Sequence, residues 1–204
     1  MYLHAFSRQF PITSCWSFAA TEQIESDCIR TQGFSTTDTL TTQQSLTCDT
    51  KSWGCNGGWP ESAYNYISSA GGLETEDDYP YTGKDTGKCK ADKSAFVATI
   101  KKYTTIEGES TMTSYVQKKG PIAVCLDATN WNTYKRGVLR VCGQQITHCV
   151  QAVGVDTSSS SGGYWKLRNS WGKQWGQDGY ILISYGANTC HITYNPTYTK
   201  VEKM

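Results

Sequence analysis

The chain has 204 residues, enough for one compact domain or two small ones with a buried core. Its 19 Lys and Arg stand against 18 Asp and Glu, interspersed, for a net charge of +1; this excludes a polyanion-binding face and offers no basic stripe to nucleic acid. The longest apolar runs, such as 122–126, fall far short of the roughly 20 residues that cross a bilayer, so a soluble protein without a membrane partner is expected, and residues 1–9 lack the features of a secretory signal.

Taken in chain order, the first predicted element is a helix over 15–31, because Trp16, Ala20, Ile24 and Cys28 recur at four-residue spacing as one apolar stripe. Ser14 or Thr13 is placed to cap it. Short helices are predicted over 42–47 and 60–69, the second opened by Pro60, with the loop Gly54-Cys55-Asn56-Gly57-Gly58 between them. Beyond Cys89 the segments read as strands, over 96–105, 122–127, 148–155, 164–168 and 180–184, interrupted by a helix over 110–119. Residues 158–163 read as a flexible surface loop. Helices first and strands later imply an α+β protein of two unlike lobes, 1–104 and 105–204.

Nine cysteines point to an oxidising compartment. A structural zinc site is disfavoured, since no Cys-x-x-Cys occurs and there are only three histidines; no metal and no cofactor is expected. The odd count leaves at least one thiol unpaired, and that thiol can be reactive. Cys15 is one candidate, because at the head of a helix unpaired N–H groups and the helix dipole stabilise a thiolate; on position alone a buried structural cysteine is its rival.

Three stretches then fall into a pattern. Ser14-Cys15-Trp16-Ser17-Phe18-Ala19 is followed, 133 positions after Cys15, by His148 in Thr147-His148-Cys149-Val150. Asn169, in Asn169-Ser170-Trp171-Gly172, stands 21 positions further on. In this order and spacing they resemble the active-site segments of papain-like cysteine peptidases. Gly54-Cys55-Asn56-Gly57-Gly58-Trp59-Pro60, Tyr79-Pro80-Tyr81, Gly120-Pro121-Ile122 and 176–181 extend the likeness over 14–196.

The resemblance implies a two-lobed papain-like fold: a helical left lobe, a β-barrel-like antiparallel right lobe, and an active site in the cleft between them. It implies an endopeptidase in which Cys15 is the nucleophile, His148 its base and general acid, and Asn169 the orienter of His148, with Trp171 shielding that bond. Trp175 packs beside them or is a plain core aromatic. Gln9, six residues before Cys15, matches the glutamine that completes the oxyanion hole, although an ordinary surface glutamine is its rival.

By the same likeness Gly57, Gly58, Trp59, Pro60, Cys125, Thr147, Cys149, Trp171 and Asn195 bind substrate. With no acidic residue among them, apolar side chains are expected at the second position before the cleaved bond. Disulfides Cys48–Cys89 and Cys142–Cys190 are implied by position. Cys125 and Cys149 either bond or remain thiols, and Cys28 is read as a core residue. Expected partners are polypeptide substrates, proteinaceous inhibitors and an inhibitory propeptide, for a monomer that is lysosomal, vacuolar or secreted.

The match fails just before the nucleophile, where Phe10 and Thr13 stand in place of family glycines and Ile12 in place of a half-cystine, leaving Cys55 without that partner. Either the first dozen residues are an imperfect start or this is a diverged homologue of weak activity. A catalytically impaired, peptide-binding homologue and a thiol acyltransferase or ligase are the alternative functions.

Overall fold

The computed structural model describes residues 13–158 and 162–204. It divides into two units, the first holding the described residues up to Thr104 together with Tyr198–Met204, the second holding Thr105–Thr197. The last seven residues therefore group with the helices, whereas the order of helices then strands had left them with the second lobe.

The first unit is built on α1 (Cys15–Thr31), α2 (Thr42–Cys48) and α3 (Pro60–Ala70), with β1 (Ala98–Thr105) beside β7 (Thr197–Lys203). Trp16, Ala20, Ile24 and Cys28 join Leu46, Tyr64, Ile67 and Leu73 in one core cluster, as their spacing predicts. What the stripe does not predict is the rest of α1. Every residue from Cys15 to Cys28 is buried, including Glu22, Glu25 and Asp27.

Buried polar groups persist only where they are bonded, and here they hold other segments to the helix. Ser17 donates to the Thr42 carbonyl at 2.8 Å, and Glu25 accepts from the Leu40 amide at 2.8 Å. Asp27 accepts from the amide and hydroxyl of Thr199 at 2.9 and 2.8 Å, and from Gln23 and Arg30. That carboxylate is what ties β7 to this unit.

Helix ends follow local chemistry. Thr41 caps α2 by accepting from the Gln44 amide at 3.2 Å, Pro60 fills the first turn of α3, and Gly71, with φ of 102°, closes it in the left-handed region. At α1 Ser14 occupies the cap position, but its hydroxyl bonds the Tyr81 hydroxyl at 2.9 Å instead of a backbone amide. The Cys48–Cys89 disulfide links the end of α2 to the loop before β1.

In the second unit α4 (Glu109–Lys118) precedes a sheet of β2 (Ile122–Leu126), β4 (His148–Asp156), β5 (Tyr164–Arg168) and β6 (Tyr180–Ser184), which pair in that order antiparallel. The short β3 (Val138–Leu139) adds parallel to β6, so the sheet is mixed and does not close into a barrel. Glu109 accepts from the Trp165 indole at 2.8 Å and from the Gly186 amide at 2.9 Å, which ties α4 to β5 and to the turn after β6. Cys142–Cys190 and Cys125–Cys149 are both bonded. The second follows from register, since Cys125 lies directly opposite Cys149 and their Cα atoms are 4.0 Å apart.

Candidate active site

In the first unit, Cys15 is the opening residue of α1 and only 5% exposed. The Ser14 carbonyl accepts from the amides of Ser17 and Phe18, at 3.0 and 3.2 Å, and so starts the helix at the sulfur. No acidic residue lies in the first turn to oppose an anion there. The other two thiols outside disulfides, Cys28 and Cys55, are poor nucleophiles. Burial, with Asp27 and Glu25 nearby, pushes Cys28 up to about 12, and burial also raises Cys55.

Beside this helix end the Gly57–Gly58 segment is packed so closely that a Cβ on Gly58 would meet the Trp16 ring and the Ser52 hydroxyl at 2.7 Å. Gly57 has φ of 129°, which disfavours any side chain. Trp16 donates its indole N–H to the Gly54 carbonyl at 3.2 Å, which keys the glycine loop to α1. Trp59 precedes α3 and Pro60 begins it. Trp53, which no motif brought forward, is 66% exposed beside Gly57. Thr13, where the resemblance expects a glycine, donates its amide to the Cys55 carbonyl at 3.1 Å. Gln9, Phe10 and Ile12 lie outside the described residues.

In the second unit, His148 is the first residue of β4 and is buried. Its Nε2 is 2.8 Å from Oδ1 of Asn169, and the same Oδ1 accepts from the Ser170 amide at 2.9 Å. Accepting the Ser170 N–H marks this atom as the amide oxygen, which has no hydrogen to give, so Nε2 is the donor and the neutral imidazole keeps its lone pair on Nδ1. Burial pushes this imidazole down to about 4, against the opposing effect of the Asn169 bond.

Trp171 stacks on the imidazole at 5.1 Å with 29° between planes. Trp175 stands edge-on to Trp171 at 5.1 Å and stacks on Trp131 at 5.9 Å, so it is part of the aromatic cluster around His148. Cys125 and Cys149 form a buried disulfide on the strand pair that carries His148. Thr147 and Asn195 are exposed, the former accepting from the Ala128 amide at 2.9 Å and the latter held at φ of 48°. Among the described residues, no group of three or more His, Cys, Asp or Glu is placed to hold a metal.

The family model described as papain family cysteine protease matches residues 2–200. "Cysteine proteinase 1" of Zea mays is 37% identical over 193 residues, which cover 86% of this chain and 51% of that protein. "Cysteine proteinase A" of Leishmania mexicana is 36% identical, over 93% of this chain and 54% of the relative. The chain thus spans about half the length of the curated relatives it matches. Among solved structures, digestive procathepsin L2 proteinase from Tenebrio molitor larval midgut superposes with a TM-score of 0.91 at 32% identity, over 98% of this chain and 65% of that one. The bromelain protease from Ananas comosus, in complex with the E64 inhibitor, gives 0.87 at 34% identity, over 98% and 95%.

Proposed function

This chain belongs to the papain family of cysteine proteases and has its α+β fold, and we propose that it cleaves internal peptide bonds with Cys15 as nucleophile and His148 as base. The observation that carries this reading is the Nε2–H bond from His148 to Asn169, because it reserves the Nδ1 lone pair for a proton. Held down near 4 by burial, that imidazole is neutral at pH 7 unless an anion lies close to it. Transfer of the Cys15 proton supplies the anion, since a thiolate beside the ring favours the imidazolium.

The thiolate then attacks the scissile carbonyl carbon and forms a C–S bond. As that intermediate collapses, the C–N bond breaks and His148 returns its proton to the leaving amine. Water, deprotonated by the same imidazole, releases the acyl group and restores the thiol. Negative charge on the substrate oxygen calls for two donors, to which we assign the backbone N–H of Cys15 and the side-chain amide of Gln9.

Gly57 and Gly58 are assigned the backbone of an extended substrate. Trp59, Pro60, Cys125, Thr147, Cys149, Trp171 and Asn195 are assigned its neighbouring side chains. A disulfide at Cys125–Cys149 gives the second-position pocket an apolar wall with no carboxylate, which favours Phe or Leu there over Arg. Trp53 offers an exposed ring to the side chain beyond. Proteinaceous inhibitors and an inhibitory pro-segment are the proposed partners, and three disulfides suit a lysosomal, vacuolar or secreted setting.

A fluorogenic dipeptide amide with Phe or Leu before the P1 residue tests the reading. Hydrolysis by the wild type, blocked by E64 and absent in Cys15→Ala, is the expected result. Equal turnover by Cys15→Ala would overturn it, and faster cleavage with Arg at the second position would overturn the pocket assignment. An added amine nucleophile that captures most of the acyl product would move the reaction from hydrolysis to transfer.

A further inference from the structure

The His148–Asn169 pair is held by more than Asn169 and the stacked Trp171. One hydrogen bond fixes one ring atom, and one stacked plane limits tilt. The ring's remaining freedom is rotation about its Cα–Cβ and Cβ–Cγ bonds, which moves Nδ1 unless the side of the ring away from Trp171 is also packed. A third contact is needed there.

Trp131 provides it. This residue, fully buried, lies in the 3-10 turn that follows β2, whose last residue Leu126 pairs with His148. Its ring meets the imidazole at 5.9 Å with 88° between planes, perpendicular where Trp171 is nearly parallel. The turn is set by its own backbone, with the Trp131 amide donating to Ala128 and its carbonyl accepting from Tyr134, both at 3.0 Å.

The same carbonyl accepts from the Trp175 indole N–H at 3.2 Å. Trp175 stacks on Trp131 on one side and abuts Trp171 on the other. His148, Trp131, Trp175 and Trp171 thus form a closed circuit of ring contacts. Tyr134, whose hydroxyl donates to Gly137 at 2.6 Å and accepts from Gln177 at 2.7 Å, braces the circuit against Trp175.

One detail separates this from ordinary core packing. The indole N–H of Trp131 is buried with no acceptor among the described residues, and an unpaired buried donor is unfavourable for stability. Phenylalanine would avoid that unpaired donor, though its smaller ring would fill less of the position. What the indole adds beyond a smaller ring is the breadth to touch His148 and Trp175 at once.

We propose that Trp131 is a positioning residue for His148, holding Nδ1 in the direction from which it takes and returns the proton. The assignment rests on the peptidase reading, but its central readout does not. Trp131 is fully buried, so substrate binding is expected to be insensitive to it.

The test compares Trp131→Leu and Trp131→Phe with the wild type. Steady-state kinetics are measured on the dipeptide amide, and the imidazole is followed by ¹⁵N NMR in the absence of substrate. For Trp131→Leu, kcat is expected to fall about 10- to 100-fold, since misplacement by about 1 Å costs on that order, with KM within about threefold of wild type. Its Nε2–H is expected to exchange faster, and the His148 pKa to move up as water reaches the ring. Trp131→Phe loses the unpaired donor and keeps an aromatic plane but is too narrow to span His148 and Trp175, so it is expected to cost less Tm than Trp131→Leu while still losing kcat by several-fold.

A folded Trp131→Leu with wild-type kcat and unchanged imidazole signals would overturn the proposal. So would equal losses in both variants that simply track Tm. Should Trp131→Leu not fold at the assay temperature, Trp175→Phe, which deletes the N–H held by the Trp131 carbonyl, is expected to give a smaller kcat loss with the same imidazole change, and no change would count against the proposal. If the wild type shows no hydrolysis dependent on Cys15, the peptidase reading fails, and the NMR comparison still decides whether Trp131 orients His148.

Discussion

Cys15 opens a helix and His148 opens a strand, and the surroundings of these two ends differ in kind. Around α1 the contacts are hydrogen bonds between buried polar side chains and the backbone of other segments, with Asp27 and Glu25 as the main acceptors. Around the head of β4 they are aromatic faces and edges, with one amide fixing the ring nitrogen. Hydrogen-bonded buried carboxylates are expensive to leave half-paired, so damage near α1 should appear as lost stability. The stacked rings contribute packing energy of their own, but they stay packed on one another when the imidazole is removed, so loss of His148 should appear chiefly as lost turnover. The contrast predicts that the two kinds of mutation separate in the two measurements.

The largest effect is expected at His148 itself. His148→Ala should lower kcat/KM by about 10⁴-fold or more, the range for loss of a general base coupled to its nucleophile, while the urea midpoint stays within the scatter of surface mutations or rises. A matching collapse of stability would break the contrast from the β4 side.

Next comes Asp27→Ala, which strands the amide and hydroxyl of Thr199 and the side chains of Gln23 and Arg30. Unfolding in urea is expected to show a loss of about 3–5 kcal/mol. Activity per folded molecule should be unchanged, and a kcat loss without a stability loss would break the contrast from the α1 side.

The pH dependence of stability sharpens it further. Because the folded imidazole sits near 4 and an unfolded histidine near 6.5, the unfolded chain binds the extra proton between those values. Stability should therefore rise with pH through that window, by roughly 3 kcal/mol in all. His148→Gln should remove this slope, as read from urea midpoints between pH 4 and 7.

A smaller effect is expected from the Cys125→Ala, Cys149→Ala pair. Closing a loop of this length stabilises by about 3.5 kcal/mol at most, and the cross-link joins strands already in register, so the measured loss in Tm should be modest. KM for substrates with Phe at the second position should change more than kcat.

Much of this was legible from residues alone. The strands at Tyr164–Arg168 and Tyr180–Ser184 match their predicted limits because apolar and polar residues alternate between clear turns. β7 went unseen although it also alternates, since two of its three buried residues are Thr197 and Thr199, with Val201 the third, and Lys200 and Lys203 interrupt and end the run. β3 is two residues long, too short for any pattern.

The buried polar face of α1 was invisible for a related reason. Nothing in the apolar stripe marks Glu25 and Asp27 as buried, because that depends on the loop and strand they bond. Cys125–Cys149 remained open because adjacency depends on β2 pairing with β4, and no spacing rule states which strands pair. Trp131 carries no motif, and it reaches His148 only through the 3-10 turn after β2.

The most direct measurement of the central claim is the rate and site of alkylation by dilute iodoacetamide at pH 6, read by peptide mass in the wild type and in His148→Ala. A sulfur activated by His148 predicts stoichiometric modification of Cys15 in the wild type, with Cys28 and Cys55 untouched, and a fall in His148→Ala to the rate of an ordinary thiol at that pH. Equal Cys15 rates in the two proteins, or Cys55 reacting first, would contradict the account.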